Sequence, residues 1–133
     1  MSATILVVED DEQVRVMSES VLREAGHTVI GAMGAEGAKA ILESDQKVDV
    51  LFIDLNLGND IEAGLRVAFD GKGLRPDLSV IYTTGAGVNA GMKALFVEPF
   101  LFLPKPYTLE QLTKSVAFLL LKSNPKPRPV LPS

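Results

Sequence analysis

Short, largely apolar runs alternate along this chain with segments whose hydrophobic residues recur every three to four positions. Apolar runs of this length, separated by helical patterns, are typical of buried parallel strands. The predicted strands are Ile5–Val8, Thr28–Ala32, Val48–Ile53, Ser79–Thr83 and Phe100–Leu103. The predicted helices are Glu12–Ala25, Ala35–Glu43, Ile61–Phe69, Val88–Val97 and Leu109–Leu121. This order predicts a doubly wound α/β domain, a five-stranded parallel sheet with five helices on its two faces.

Capping and breaking residues set the predicted helix ends. Asp11 and Thr108 are predicted N-caps of the first and last helices. The pair Gly71 and Gly73, followed by Pro76, is predicted to interrupt the chain before the fourth strand. Helical spacing also predicts that Met17 in the first helix and Phe69 in the third face the core.

Polar side chains follow four of the predicted strands. Glu9 and Asp10 follow the first strand, Asp54 the third, Thr84 the fourth and Lys105 the fifth. In an open parallel sheet, ligands bind beyond the carboxyl ends of the strands, which lie along one edge. Three carboxylates, one hydroxyl and one ammonium are therefore expected together, a set that suits a divalent cation and a phosphoryl group.

The carboxylates are candidate metal ligands. Glu9 and Asp10 offer the hard oxygens that Mg²⁺ prefers, and a bound cation relieves the repulsion between neighbouring carboxylates. An acidic helix start, favoured by the helix dipole, explains the same pair equally well. Asp54 is a candidate phosphoryl acceptor, since a carboxylate can form an acyl phosphate, although an Asp after a strand also caps turns. Asn56 offers a backbone carbonyl to the same metal.

The hydroxyl and the ammonium are candidate phosphoryl contacts. Thr84 ends a strand before small residues that leave space for the group, and Thr83 is the competing candidate because strand alternation sends the two to opposite faces. Lys105 lies between two prolines and supplies a point charge for a phosphate or for Asp54. A β-favouring threonine and a solvated surface lysine are the alternative interpretations.

Composition narrows the class of protein. The 133 residues suit one domain, and the absence of cysteine excludes disulfides and thiolate metal sites. A net charge of −4 gives no basic footprint for direct nucleic-acid binding. No apolar run reaches the ~20 residues that span a membrane, and no signal-peptide pattern occurs, so a cytoplasmic location is expected. Residues 123–133 are predicted to form a flexible Pro-rich tail.

The order of these residues is more specific than any one of them. An acidic pair, a single Asp, a Thr and a Lys-Pro occur at the ends of strands one, three, four and five. Over residues 3–122 the sequence resembles the receiver domain of two-component response regulators. The matching segments are Ile5–Asp11, Leu51–Gly58, Val80–Gly85 and Leu103–Tyr107. The resemblance implies a flavodoxin-like sheet with strand order 2-1-3-4-5, as in the chemotaxis receiver.

The resemblance also implies the chemistry. Asp54 corresponds to the aspartate that takes a phosphoryl group from a histidine kinase or a histidine phosphotransfer protein. Mg²⁺ (or Mn²⁺) would be held by Glu9, Asp10, Asp54 and the backbone carbonyl of Asn56. Such a domain catalyses its own phosphorylation and slow dephosphorylation and is not otherwise an enzyme.

A switch is implied as well. Thr84 and Lys105 correspond to the residues that contact the phosphoryl group and signal its presence. Phe102 lies where the family often has a switching aromatic, and a core phenylalanine explains it equally well. Phosphorylation would then change the face formed by the fourth helix, fifth strand and fifth helix. The expected partners are the phosphodonor, a downstream protein target and, as one option, a second copy of the chain.

Other functions remain open from sequence. A receiver-like module that binds proteins without phosphate, and a receiver fragment of a hybrid histidine kinase, both fit the chain. A haloacid-dehalogenase-type phosphatase needs a second Asp where Asn56 stands. A flavin-binding flavodoxin-like protein lacks a convincing phosphate cradle.

Overall fold

Five parallel strands form one sheet in the computed structural model, which describes residues 2–123. The strands are β1 (Thr4–Val8), β2 (Thr28–Ala32), β3 (Val50–Asp54), β4 (Ser79–Thr84) and β5 (Phe100–Pro104). The helices are α1 (Glu12–Glu24), α2 (Ala35–Glu43), α3 (Ile61–Leu74), α4 (Ala90–Lys93) and α5 (Leu109–Ser123). The spatial order β2-β1-β3-β4-β5 confirms the predicted flavodoxin-like topology. The predicted tail lies outside the described residues from residue 124 onward.

The sheet separates two hydrophobic cores. Every residue of β1 and of β3 is buried, as expected for central strands covered on both faces. Alternate residues point to opposite sides, so that Leu6 and Leu51 belong to one core while Val7 and Phe52 belong to the other. Helices α2 and α3 cover the first core, and α1 and α5 cover the second. Within residues 2–123, no helix combines the length and apolarity needed to cross a bilayer.

Both predicted N-caps are confirmed. The carboxylate of Asp11 accepts hydrogen bonds from the backbone N–H groups of Gln13 at 3.0 Å and Val14 at 3.2 Å. Thr108 forms a reciprocal cap with Gln111: the Gln111 N–H donates to Thr108 Oγ1 at 3.0 Å, and the Thr108 N–H donates to Gln111 Oε1 at 2.8 Å. These bonds satisfy N–H groups that a helix leaves unpaired, so they fix where α1 and α5 begin.

Helix α3 continues through the predicted break. It runs to Leu74, because Gly71 is buried against α2 and does not interrupt the helix. A Cβ at Gly71 would lie 3.0 Å from Leu42 Cδ1 and 3.3 Å from Leu78 Cδ2, so the missing side chain permits close packing. The helix ends where Arg75 adopts an extended conformation before Pro76, as the residue before a proline tends to do.

Helix α4 is shorter than predicted. It spans only Ala90–Lys93, with Asn89 Oδ1 accepting from the Met92 N–H at 2.8 Å as its cap. Beyond it, the ring of Phe96 stacks on Tyr82 with centroids 3.9 Å apart, and the Val97 N–H donates to Tyr82 Oη at 2.9 Å. The Val97 N–H thus bonds to β4 instead of to a helical carbonyl, whereas the Phe96 N–H still donates to the Lys93 carbonyl at 3.1 Å.

Two predicted core positions are wrong. Met17 and Phe69 are exposed. On α1 the buried positions are Ser18 and Leu22, since the Ser18 hydroxyl shares a 2.9 Å hydrogen bond with Tyr107 Oη. Ser18, a polar residue with a half-buried hydrogen-bond partner, therefore occupies the buried face where the hydrophobic pattern predicts Met17.

Candidate functional site

Three side chains converge at the carboxyl ends of β1, β3 and β5. Glu9 follows β1, Asp54 is the last residue of β3, and Lys105 follows β5. Lys105 Nζ lies 2.8 Å from Glu9 Oε1 and 3.0 Å from Asp54 Oδ2. The carboxylates are almost fully buried, at 4% and 3% exposed. The edge of the sheet thus brings together the acidic and basic groups as the strand pattern predicts.

A possible cation site lies in the same place. One carboxylate oxygen each from Glu9, Asp10 and Asp54 can be chosen so that all lie within 4.8 Å of one another. Asp10 is the exposed member and gives the cluster an opening to solvent. Three carboxylates face one ammonium, so the cluster stays net negative when all are ionised. Hard oxygens with excess negative charge fit Mg²⁺ or Mn²⁺.

Backbone groups hold the loop after β3 against this cluster. Asp54 Oδ1 accepts from the Asn56 N–H at 2.9 Å, and Asp10 Oδ2 accepts from the Gly58 N–H at 3.2 Å. Gly58 has a φ of +56°, a left-handed conformation that glycine adopts without strain. The side chain of Leu57 is buried and anchors the loop in the core. Asn56 therefore stays beside Asp54, as its predicted role as a carbonyl ligand requires.

Burial decides the direction of the pKa shift of Glu9, whereas contacts with the two carboxylates decide that of Lys105. Burial raises the pKa of Glu9 to about 7, hydrogen bonds from Lys105 and the Asp11 N–H oppose that rise, and the charge of Asp54 adds to it. For Lys105, burial alone lowers the pKa, but hydrogen bonds to Glu9 and Asp54 more than offset this and leave the pKa raised. The lysine is therefore a permanent cation that compensates two buried carboxylates.

The two candidate threonines differ in their contacts. Thr84 is buried, its Oγ1 accepts from the Ala86 N–H at 3.1 Å, and its carbonyl accepts from the Lys105 N–H at 3.1 Å. The accepted bond uses an oxygen lone pair and leaves the hydroxyl proton uncommitted by it. Thr83 is the register neighbour of Asp54, and within the described chain its buried Oγ1 has no hydrogen-bond partner.

Phe102 lies at the margin of an aromatic cluster. It is half-buried, is the register partner of Tyr82, and lies 6.4 Å from Phe96 between ring centroids. Alternation along β4 sends Thr84 to the same sheet face as Tyr82, so Phe102 and the threonine share that face. This placement agrees with both interpretations of Phe102, the switching aromatic and the packed phenylalanine.

Two further residues lie near the site without having been predicted there. Tyr107 packs edge-on against Phe52 at 5.7 Å between centroids, and burial raises the pKa of its phenol. Arg15 Nη1 donates to the backbone carbonyl of Glu9 at 3.0 Å. The only feature of the sequence that points to Arg15 is its position, one turn into the helix that follows Glu9 and Asp10. His27 lies away from the site, and its Nδ1 accepts from the Ala3 N–H at 3.1 Å.

Comparison with known proteins identifies one family. A model of the response regulator receiver domain matches residues 5–117. The chain is 31% identical to the sensor kinase CckA of Brucella abortus over 92% of its length, and 32% identical to the transcriptional regulator NtrC of Azospirillum brasilense over 95%. It spans only 13% and 26% of those two relatives, respectively.

Solved structures give the same result. A response regulator receiver protein from Sinorhizobium medicae superposes with a TM-score of 0.82 at 26% identity, covering 92% of this chain and 97% of that one. A CheY-like receiver domain protein from Methanospirillum hungatei has a TM-score of 0.83 at 19% identity, with 96% and 100% covered. The second likeness supports the fold alone.

Proposed function

Since the chain belongs to the response regulator receiver family, we propose that it accepts a phosphoryl group on Asp54 in two-component signalling. The donor is a histidine kinase or a histidine phosphotransfer protein. One observation carries the proposal: Lys105 Nζ lies 2.8 Å from Glu9 and 3.0 Å from Asp54, at a sheet edge that also holds Asp10. An acceptor carboxylate, a cation-binding pair and a fixed positive charge are the groups that this transfer needs.

The reaction is a displacement at phosphorus. A carboxylate oxygen of Asp54 attacks the phosphorus of the donor phosphohistidine, and the P–N bond breaks. The departing imidazole nitrogen keeps the electron pair and takes up a proton. Glu9, Asp10, Asp54 and the carbonyl of Asn56 would hold Mg²⁺, and the ion would neutralise charge on the phosphoryl oxygens.

Lys105 and Thr84 act on the transferred group. The Lys105 ammonium has three N–H donors, and it exchanges the bond to Asp54 Oδ2 for one to a phosphoryl oxygen. The Thr84 hydroxyl donates a hydrogen bond to a second phosphoryl oxygen. Slow hydrolysis of the acyl phosphate by water returns Asp54 to its starting state, so self-dephosphorylation sets the lifetime of the signal.

The face near α4, β5 and α5 transmits the signal to a protein target. Thr84 precedes an exposed stretch that includes Gly85 and leads to the single turn of α4. Phe102 lies on the same sheet face and follows when Thr84 turns toward the phosphoryl group. Because α4 has few buried residues, its rearrangement costs little free energy.

Intact-mass spectrometry after incubation with acetyl phosphate and Mg²⁺ tests the proposal. One added phosphoryl group is expected in the parent and none in Asp54→Asn or in a chelated sample. Asp49→Asn is the matched control, since Asp49 precedes the same strand at its opposite end and accepts from the Thr4 N–H at 2.8 Å. This variant should be phosphorylated like the parent. A folded parent that forms no adduct at any sampled time would favour a phosphate-independent contact module.

A further inference from the structure

The backbone of Glu9 is held from two sides. Arg15 Nη1, on α1, donates to the Glu9 carbonyl at 3.0 Å. The Glu9 N–H donates to the carbonyl of Ala32, at the end of β2, at 3.1 Å. The direction in which the Glu9 side chain leaves the strand is therefore set by contacts with α1 and β2, on the side of β1 away from Asp54.

Arg15 is itself fixed by an ion pair. Arg15 Nε lies 3.6 Å from Glu19 Oε2, and the two side chains are only 14% and 13% exposed. Glu19 Oε1 also lies 3.6 Å from Arg23 Nη1, but the Arg23 side chain is 55% exposed. A charge that is largely buried needs its partner, so loss of Glu19 from this position would release Arg15.

A glycine makes room for this ion pair. A Cβ at Gly31 would overlap the Glu19 carboxylate and would lie 3.5 Å from Arg15 Cδ. The φ of Gly31 is outside the left-handed region, so the glycine is needed for space and not for its backbone conformation. Gly31 pairs with Val7 in the β1–β2 ladder and directly precedes Ala32. The Arg15 side chain and the Ala32 carbonyl, which both bond to the Glu9 backbone, thus lie side by side at the end of β2.

We propose that Arg15, kept in place by Glu19 in the space left by Gly31, is a positioning residue for the carboxylates that bind Mg²⁺. The proposal rests on the proposed function and deepens it. The guanidinium fixes the turn that carries Glu9 and Asp10 through its bond to the Glu9 carbonyl. Lysine at this position keeps the charge but lacks the fork that contacts a carbonyl and a carboxylate together.

Titration with MgCl₂, followed by ¹H–¹⁵N NMR of the full chain without a phosphodonor, tests the proposal. Mutation of a group that orients a metal ligand typically weakens metal affinity by roughly 10- to 100-fold. We expect about a tenfold weaker Mg²⁺ affinity for Arg15→Ala, near the lower end of that range because the contact is to a backbone carbonyl. Arg15→Lys and Gly31→Ala should shift the affinity in the same direction by less.

Arg23→Ala is the matched control. It removes the other arginine that pairs with Glu19 at 3.6 Å, but Arg23 Nη2 donates to Val29, away from the acidic pair. Its Mg²⁺ affinity should equal that of the parent. A second measurement uses acetyl phosphate: in Arg15→Ala the half-saturating Mg²⁺ concentration should rise more than the rate at saturating Mg²⁺ falls.

Each outcome decides whether Arg15 positions the carboxylates that bind Mg²⁺. A folded Arg15→Ala with the affinity of the parent overturns the proposal, as does an equal loss in Arg23→Ala, which indicates a general disturbance of α1, since removing a positive charge by itself would strengthen Mg²⁺ binding. Arg15→Lys keeps the test valid if Arg15→Ala does not fold. A parent that binds no Mg²⁺ overturns the proposed function and this inference with it, whereas binding that is unaffected by Arg15 overturns the inference alone.

Discussion

Tyr82 Oη, in β4, accepts a hydrogen bond from the backbone N–H of Val97 at 2.9 Å, where the chain passes from α4 to β5. The same phenol ring stacks on Phe96 with centroids 3.9 Å apart. Tyr82 is fully buried and lies two residues before Thr84 on the same sheet face. One side chain therefore ties the segment after α4 to the strand that carries a proposed phosphoryl contact.

Tyr82→Phe should destabilise the chain because it removes an acceptor from a partly buried N–H. The expected loss in the free energy of unfolding is about 1–2 kcal/mol, the usual effect of leaving one such donor unpaired. Urea denaturation at neutral pH measures it, and amide hydrogen exchange at Val97 should become faster. An unchanged exchange rate at Val97 would contradict the assigned role of the phenol.

The ionisation of Tyr82 should weaken the fold at alkaline pH. Burial raises its pKa from the ordinary 10.0 to about 12. The folded state holds this proton more tightly than the unfolded state. Tyr82 therefore makes its full contribution to the free energy of unfolding below pH 10.0, and this contribution is lost as the pH rises toward about 12. A pKa shift of this size corresponds to roughly 2–3 kcal/mol in the free energy of unfolding.

Tyr82→Phe is also the control for this pH dependence. Urea denaturation of parent and variant between pH 8 and pH 11 should show stability falling more steeply in the parent. The pKa of Tyr107 is raised by burial in both proteins, so the variant should retain a residual slope. Parallel pH profiles in the two proteins would count against ionisation of Tyr82 as the cause.

The strands and the convergence of the site follow from local pattern, whereas the strand order was implied only by the resemblance to the receiver family. A buried parallel strand needs only a continuous apolar run, and its carboxyl end must lie at the sheet edge. The strand pattern alone therefore predicts that Glu9, Asp54 and Lys105 lie together. Asp11 and Thr108 were predicted as caps because a cap satisfies N–H groups within three residues of itself.

Features that depend on distant contacts were not predictable in this way. Helix α3 passes through Gly71 because α2 packs closely there, and the predicted fourth helix does not reach Val97, whose N–H binds Tyr82. The bond from Arg15 to the Glu9 carbonyl depends on a side-chain conformation that Glu19 and the gap at Gly31 impose. No spacing along the sequence encodes any of these contacts.

Two of the three glycines of α3, Gly71 and Gly73, should respond oppositely to alanine. At Gly71 a Cβ meets Leu42 Cδ1 at 3.0 Å, and overpacking of a core typically costs about 1–3 kcal/mol. At Gly73 nothing lies within 4 Å, so Gly73→Ala should gain about 0.5–1 kcal/mol of helix propensity. Urea denaturation of both variants measures the difference, and equal effects would show that packing against α2 does not explain Gly71.

Mg²⁺ binding should depend on Asp10 and not on its neighbour Asp11. Both are exposed, but an oxygen of Asp10 lies in the carboxylate cluster, whereas Asp11 caps α1. Asp10→Asn keeps an oxygen that can accept from the Gly58 N–H and removes the charge, so Mg²⁺ should bind at least tenfold more weakly, by about 1.4 kcal/mol or more.

Asp11→Asn should preserve the N-cap of α1, because Asn and Asp cap helices almost equally well. The Mg²⁺ affinity of this variant should therefore stay within about twofold of that of the parent. Thermal unfolding with and without MgCl₂ gives an independent measurement, because a ligand that binds only the folded state raises the midpoint. The Mg²⁺-induced rise should persist in Asp11→Asn and shrink in Asp10→Asn. Equal losses in both variants would point to diffuse attraction by the acidic run, whereas a loss confined to Asp10 assigns the ion to the edge of the sheet beside Asp54.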